Sequence, residues 1–303
     1  MAATSQIARD VDLKFNKIAV LTDFSKNSDD ALQYAAAFAR DNGADLILAH
    51  AYIPPACACA APEFALAYQA FEAFRGSLES RLLSETEADY LRDVKCTILL
   101  REGEAADLME DLSDADLIVV GTSGHTGLER AALGSTAERI FRSSSIPVLT
   151  IGPRCQPGNI GKGQMNAIIC ATDLSPNTQA IVLPYAVSIA RKYDAELILL
   201  RVVTNRGIPF SFERTMASAE PLDRMKALLP DHIDLPRKPK YLVGFGTPDE
   251  VILAEARNRK SGLIVMGARK TGLLGALARR FEDGTAYSVA ANAPCPVLTV
   301  RER

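Results

Sequence analysis

The sequence predicts an α/β protein made of two tandem open-sheet α/β sandwiches, each with a five-stranded parallel sheet and helices on both faces. Three observations lead to this fold class. Short apolar, β-rich runs alternate with stretches of helical periodicity, which is typical of parallel sheets with crossover helices. The whole pattern occurs twice, about 150 residues apart, and a segment rich in glycine and proline separates the two copies.

The strands are predicted from near-continuous apolar runs, which are typical of parallel strands that are buried on both faces. In the first half these runs are 17–22, 45–51, 95–100, 116–120 and 146–151. In the second half they are 166–171, 196–203, 240–245, 262–266 and 295–300.

Helices are predicted between the strands from apolar residues at helical spacing. Asp29 and Asp30 support the first of them, because acidic residues stabilise the positive end of a helix dipole. The predicted helices are 28–42, a stripe over 67–82, 104–112 and 134 to about 142 in the first half, and 177–192, 218–229 and 248–258 in the second.

The repeat is read from matched segments that occur in the same order in both halves. Lys17–Ser25 matches Ala167–Ser175, and Ile146–Ile151 matches Cys295–Val300. We therefore interpret the chain as a duplication of one domain. The predicted boundaries are an N-terminal tail over 1–15, a first domain over 16–152, a linker over 153–164 and a second domain over 165–303.

Composition excludes several classes of protein. Apolar residues make up 48% of the 303 residues and charged residues 23%, which favours a globular chain over a disordered one. A formal charge of −3 argues against a nucleic-acid binder with a basic surface. No apolar run reaches the roughly 18 residues of a membrane span, and the charged N-terminus does not resemble a secretory signal. The six cysteines are scattered, so we expect no disulfide framework and a cytoplasmic protein without membrane or nucleic-acid partners.

Candidate ligand-binding residues follow the strands, because open parallel sheets bind ligands at the carboxyl ends of their strands. Gly121 and Gly124 would let the backbone approach a phosphate closely. Gly134, Ser135 and Thr136 would offer free N–H groups and hydroxyls at a helix N-terminus, where the dipole favours anions. The sequence therefore predicts an anion cradle after the fourth strand.

Asp23 follows the first strand and needs a separate explanation, because a carboxylate beside phosphates is repulsive unless a cation intervenes. It would hold Mg²⁺ beside the phosphates, or hydrogen-bond the ribose or adenine. The alternative for both Asp23 and Ser25 is that they cap the following helix.

The spacing G-x2-G-x9-G-[S/T], formed by Gly121, Gly124, Gly134 and Ser135, resembles the nucleotide motif of the universal stress protein family. The resemblance covers nearly the whole chain in two copies and implies a Rossmann-like fold of the HUP type. It implies that ATP is the ligand, with which Mg²⁺ at Asp23 would be compatible. The residues that it would place in the ATP site are Leu21, Thr22, Asp23, Ala51, Val120, Gly121, Ser123, Gly124, Gly134, Ser135, Thr136 and Ala137.

The same resemblance implies that the last strand of each domain pairs with another copy. Val148–Ile151 would pair with Val297–Val300 inside one chain or across a homodimer. The edge of a sheet supplies the unpaired N–H and C=O groups that such pairing needs.

The second half departs from the motif. Lys270 stands three residues after Gly267, where the second glycine is expected, and the approach to Gly284 carries Glu282 and Asp283. Thr172, Asp173 and Val202 keep the positions of an adenosine pocket, so whether the second half binds a ligand stays open.

The function predicted from these residues is a stress-response sensor or regulator that binds ATP in its first domain. A slow ATPase or adenylate-transferring enzyme is a competing hypothesis, and the absence of a P-loop lysine argues that turnover would be slow. A pseudo-dimeric scaffold that binds a partner protein without nucleotide is a third. The sequence leaves ATP, ADP, AMP and cyclic AMP unresolved as ligands.

Overall fold

The first half of the chain alternates strands and helices as predicted. The computed structural model describes residues 13–54, 64–122, 133, 135–155, 165–204, 211–229, 233–268 and 284–301. The elements of the first half are β1 (Lys17–Leu21), α1 (Lys26–Asn42), β2 (Asp45–Tyr52), α2 (Phe64–Thr86), a 3-10 turn (Asp89–Leu91), β3 (Cys96–Glu102), α3 (Leu108–Asp111), β4 (Leu117–Gly121), α4 (Ser135–Ser143) and β5 (Val148–Ile151).

The second half repeats this order. Its elements are β6 (Ala167–Ala171), α5 (Pro176–Tyr193), β7 (Glu196–Val203), α6 (Ser211–Leu228), β8 (Lys240–Phe245), α7 (Pro248–Asn258), β9 (Leu263–Gly267), α8 (Gly284–Asn292) and β10 (Val297–Val300). None of the helices in the described ranges combines the length and the hydropathy that a bilayer crossing requires.

The ten strands form one continuous sheet in the order β3-β2-β1-β4-β5-β10-β9-β6-β7-β8. Strands within each half pair in parallel, and β5 pairs with β10 in antiparallel register at the centre. Two threonines reinforce this junction: the Thr150 hydroxyl donates to the Val297 carbonyl at 3.2 Å, and the Thr299 hydroxyl donates to the Val148 carbonyl at 3.2 Å. The last strands therefore pair inside one chain, which is one of the two arrangements that the sequence left open.

The apolar core lies on both faces of the sheet, as expected for parallel strands. Within β1, Ile18 and Val20 belong to one buried cluster, whereas Ala19 and Leu21 belong to the other. Each cluster contains residues from both halves, so the two halves share their cores across the β5–β10 junction.

The end of the predicted N-terminal tail contributes to this shared core. Phe15 is buried, and its ring lies 5.1 Å from Phe38 of α1 and 6.1 Å from Tyr185 of α5. The Leu13 N–H also donates to the Ser188 hydroxyl of α5. Residues 13–15 thus pack between a helix of each half.

Two helices differ from their predicted bounds. The helix predicted over 104–112 is an α-helix only at Leu108–Asp111, because Glu104 to Asp107 form a turn in which Asp107 accepts the Glu104 N–H at 2.7 Å. The helix predicted from residue 218 begins at Ser211, two turns earlier.

Candidate functional site

The loop after β1 is fixed by short-range hydrogen bonds from its own side chains. The Thr22 hydroxyl accepts the Phe24 N–H and the Asp23 carboxylate accepts the Ser25 N–H, each at 3.0 Å. Phe24 adopts the left-handed conformation with φ of 61°. Ser25 then caps α1 by accepting the Ser28 N–H, so the capping alternative describes Ser25.

Asp23 stays ionised in this loop. Burial alone would raise its pKa, but hydrogen bonds from Ser25 and Ser28 outweigh that effect and lower the pKa below its usual value. Asp23 therefore brings a negative charge to the carboxyl edge of the sheet at neutral pH.

His50 lies beside this loop, near the end of β2. Its Nδ1 is 2.7 Å from the Thr22 carbonyl, and its ring is 4.5 Å from the Phe24 ring. Burial lowers the pKa of His50 below 6.5, so the ring is neutral at pH 7. Because a carbonyl only accepts, the neutral ring donates its Nδ1–H to Thr22.

The turn after β3 depends on Gly103. Its N–H donates to the Tyr52 carbonyl at 2.9 Å, and its φ of 128° is rarely adopted by other residues. A Cβ at this position would lie 2.4 Å from Asp107 Oδ2. The tight turn brings Glu104 to the same edge of the sheet as Asp23.

Helix α4 closes the site from the other side. It begins at Ser135, and Thr136 and Arg139 follow on its first turns. The Arg139 guanidinium forms an ion pair with Glu104, and both side chains are about half exposed. The first N–H groups of a helix lack intrahelical acceptors and attract anions, and Arg139 adds a full positive charge beside them.

These elements enclose a cavity of about 260 Å³ at the carboxyl edge of the first half. This volume is slightly below the roughly 300–1,000 Å³ that is typical of small-molecule pockets. Its lining combines apolar side chains with charged ones. The lining residues are Leu21, Thr22, Asp23, Ala49, His50, Ala51, Ile53, Gly103, Glu104, Ala105, Leu108, Thr136 and Arg139.

The comparisons with known proteins identify the family. The chain matches the model of the Universal stress protein family twice, at residues 14–152 and 165–301. The chain belongs to the universal stress protein family. We refer to the two matched segments as the first and second Usp domains.

Individual universal stress proteins match parts of the chain or its fold. One of Methanocaldococcus jannaschii is 40% identical over an alignment of 86 residues. The alignment covers 24% of this chain and 51% of that relative, so it spans about half of the relative's length. The crystal structure of one from Archaeoglobus fulgidus is 18% identical with a TM-score of 0.67, covering 94% of this chain and 98% of that chain, and this likeness shows the fold. Another, solved in complex with cAMP, is 26% identical, covers 46% of this chain and 97% of that chain, and has a TM-score of 0.31.

The structure brings five of the predicted site residues of the first Usp domain to the cavity wall: Leu21, Thr22, Asp23, Ala51 and Thr136. Val120 and Ala137 are buried in the core behind it, and Ser135 begins α4. The predicted residues Ser123, Gly124 and Gly134 lie outside the described residues, as do Lys270 and the linker residues 156–164.

Gly121 has a packing role that the motif does not reveal. A Cβ there would lie 2.3 Å from the Asn27 carbonyl oxygen and 3.0 Å from the Ser28 nitrogen. The end of β4 therefore touches the first turn of α1, and only glycine allows that approach.

Sequence reasoning missed Glu104 and Arg139. A signal for Glu104 was present, because Gly103 follows β3 and so places its neighbour at the carboxyl edge. Arg139 is the fifth residue of α4, on the turn next to its N-terminus. Their ion pair joins two elements that are distant in sequence, so local patterns do not predict it.

The second Usp domain reproduces the same loop. The Thr172 hydroxyl accepts the Leu174 N–H, and the Asp173 carboxylate accepts the Ser175 N–H at 2.9 Å. Leu174 has φ of 62°, close to that of Phe24. In the described residues, no group of three or more His, Cys, Asp or Glu side chains is placed to hold a metal ion in either domain.

Proposed function

We propose that this universal stress protein binds one adenine nucleotide, ATP in the first instance, in the cavity of its first Usp domain and acts as a stress-response sensor or regulator. The observation that carries the proposal is the convergence of Asp23, Arg139 and the N-terminus of α4 on one cavity at the carboxyl ends of β1 and β2. This is the edge at which open parallel sheets bind ligands.

The chemistry of the walls favours one orientation of the ligand. Leu21, Ala49 and Leu108 form an apolar wall suited to a purine ring. Thr136, Arg139 and the free N–H groups of α4 are donors from which phosphate oxygens would accept hydrogen bonds. A nucleotide with its base against the apolar side chains and its phosphates at these donors satisfies both.

Phosphate binding requires Arg139 to exchange partners. In the structure its guanidinium is paired with Glu104, and the cavity also holds the negative charge of Asp23. A phosphate would replace the Glu104 carboxylate on Arg139, which makes Glu104 an internal competitor of the ligand.

Mg²⁺ would reduce the remaining repulsion. Asp23 and the phosphate oxygens are the type of ligand that Mg²⁺ prefers, and two hydrogen bonds already orient the Asp23 loop. Without Mg²⁺, Asp23 would accept a hydrogen bond from a ribose hydroxyl.

We expect hydrolysis to be slow. The neutral His50 has its Nδ1 engaged with the Thr22 carbonyl, and Asp23 is a weak base because its pKa is lowered. Efficient phosphoryl transfer needs a positioned base or water-orienting residue together with cations on the phosphates. The nucleotide would therefore set a conformational state rather than be consumed rapidly.

A pair of matched variants tests this proposal. Ala51 and Val202 occupy corresponding positions, because Leu21 pairs with Ala49 and Ala171 pairs with Leu200 in the two domains. Ala51→Leu narrows the cavity, and we expect it to weaken Mg-ATP binding at least tenfold in isothermal titration. Val202→Leu should leave the affinity unchanged. No heat of binding in the wild-type protein, or a loss confined to Val202→Leu, would contradict the proposal.

A further inference from the structure

The second Usp domain reaches into the neighbourhood of the proposed phosphate site. Tyr287 of α8 lies against α4 of the first domain, with its ring 6.3 Å from the Phe141 ring in an edge-to-face arrangement. The Arg142 guanidinium lies 5.8 Å from the centre of the same tyrosine ring. The aromatic contact fixes the direction of the tyrosine side chain along α4.

The Tyr287 hydroxyl joins two parts of the first domain. It accepts the Leu133 N–H at 3.2 Å and donates to the Glu138 carboxylate at 3.4 Å. Glu138 is held in turn by the Arg142 side chain at 2.9 Å. The tyrosine therefore links Leu133, two residues before α4 begins, to the first turns of α4.

Leu133 needs this partner for a physical reason. Leu133 is only 4% exposed, and a buried backbone N–H group without an acceptor costs free energy. Without the tyrosine oxygen, the backbone would have to shift to find water or another acceptor. Such a shift would change the direction of the N–H groups that follow in the chain.

We propose that Tyr287 is a positioning residue for the phosphate site, so that the second Usp domain holds the N-terminal end of α4 of the first domain in its binding geometry. The inference rests on the proposed function, since it assigns the phosphates of the nucleotide to this end of α4. Tyr287 acts through Leu133 and does not itself contact the ligand.

The arrangement is not reciprocal. The segment Gly284-Thr-Ala-Tyr287 corresponds to Gly134-Ser-Thr-Ala137, so the first domain has Ala137 at the position of Tyr287. Ala137 is buried and has no hydroxyl with which to support the second domain in return. At this pair of corresponding positions, the side chain of the second domain therefore supports the first and that of the first cannot do the same in return.

The test is Tyr287→Phe, which removes one oxygen atom and retains the ring packing against Phe141. We expect the dissociation constant of Mg-ATP to rise about two- to tenfold, as for the loss of one hydrogen bond. Adenosine, which lacks phosphates, should bind with unchanged affinity. The matched control is Tyr241→Phe, which deletes a hydroxyl on the distant strand β8 of the same domain.

A ligand-free measurement makes the test independent of binding. Tyr287→Phe should accelerate amide hydrogen exchange in the peptide that contains Leu133, whereas Tyr241→Phe should not. Equal weakening of ATP and adenosine, or unchanged ATP affinity with unchanged exchange, would overturn the inference while wild-type binding upholds the proposed function. If the wild-type protein binds neither ligand, the proposed function fails and the inference falls with it.

Discussion

The two Usp domains share a backbone framework and differ in the side chains placed on it. Phe24 and Leu174 have nearly the same positive φ, and so do Gly103 and Gly246 at 128° and 139°. Arginines of α2 and α6, Arg81 and Arg224, donate to the carbonyls of Phe24 and Leu174. The loop geometry is therefore common to both domains and does not distinguish them.

The differences fall on the residues that line the first cavity. Arg201 of β7 stands at the position of His50, and Thr247 follows Gly246 where Glu104 follows Gly103. A neutral ring and a carboxylate are thus exchanged for a cation and a hydroxyl. The comparison teaches that duplication has preserved the turns, while the side chains at the carboxyl edge differ between the two copies.

The largest expected effect concerns the cation of the first cavity. Arg139→Gln should weaken ATP binding about tenfold or more, because hydrogen bonds to charged groups contribute about 1.5–3 kcal/mol. Glu104→Gln should strengthen ATP binding, because it releases Arg139 from its carboxylate partner. Titration with ATP and adenosine measures both. Weaker ATP binding by Glu104→Gln would contradict the competition between Glu104 and phosphate.

The two glycine turns offer a sharper test of the shared framework. In Gly103→Ala and Gly246→Ala, the alanine would have to adopt the positive φ of the glycine. This strain destabilises the folded state by about 1–3 kcal/mol in each variant. Gly103→Ala should destabilise more, because its Cβ would displace Asp107 Oδ2 and so break the hydrogen bond from the Glu104 N–H, whereas the nearest atom at Gly246 is Val251 Cγ2 at 3.4 Å. Urea unfolding measures the difference, and only Gly103→Ala should also weaken ATP binding. Equal losses of stability would contradict this ranking.

The two threonines at the β5–β10 junction should contribute equally to the stability of the protein. Thr150→Val and Thr299→Val each remove one hydroxyl bond of 3.2 Å across the β5–β10 pair, at about 1 kcal/mol each. Chemical unfolding of the two single variants checks this equality. Thr97→Val on the edge strand β3 is the control and should have a smaller effect, since its bond to Leu46 is 3.4 Å long. A twofold difference between the junction variants would show that the two halves contribute unequally.

The smallest expected effect is a pH dependence that belongs to the first domain. His50 has a folded pKa below 6.5, so the unfolded chain binds more protons near that pH. The contribution of neutral His50 to the free energy of unfolding is therefore present above pH 6.5, and it is lost as the pH falls towards the lowered pKa. Thermal unfolding between pH 7.5 and 5.5 should show a shallower decline for His50→Gln than for the wild type. A steeper decline in the variant would refute this assignment.

Much of the fold was predictable because it follows from local patterns. The strands β7 and β8 and the helix α7 lie at the residues predicted for them. Leu21, Thr22, Asp23 and Ala51, which the family resemblance assigned to one site, line one cavity, because strand order and direction determine which residues meet at the carboxyl edge. The strand pattern by itself placed Asp23 at that edge.

Residues whose roles arise from long-range packing were not predictable. The Leu133 N–H and the Tyr287 hydroxyl are 154 positions apart, and no local pattern relates them. The packing of Gly121 against the Asn27 carbonyl likewise depends on how α1 crosses β4. A glycine in a nucleotide motif therefore has two physical explanations, and only the three-dimensional structure reveals the second.

The most direct test of the account is the number of adenine nucleotides bound per chain. Titration of the purified, nucleotide-free protein with Mg-ATP at equilibrium gives this number, and chromatography of the supernatant after denaturation gives it for any nucleotide that is retained. The account predicts about one nucleotide per chain, abolished or strongly weakened by Arg139→Gln. Two nucleotides per chain, or none, would contradict the claim that the first domain binds the nucleotide while the second supports it.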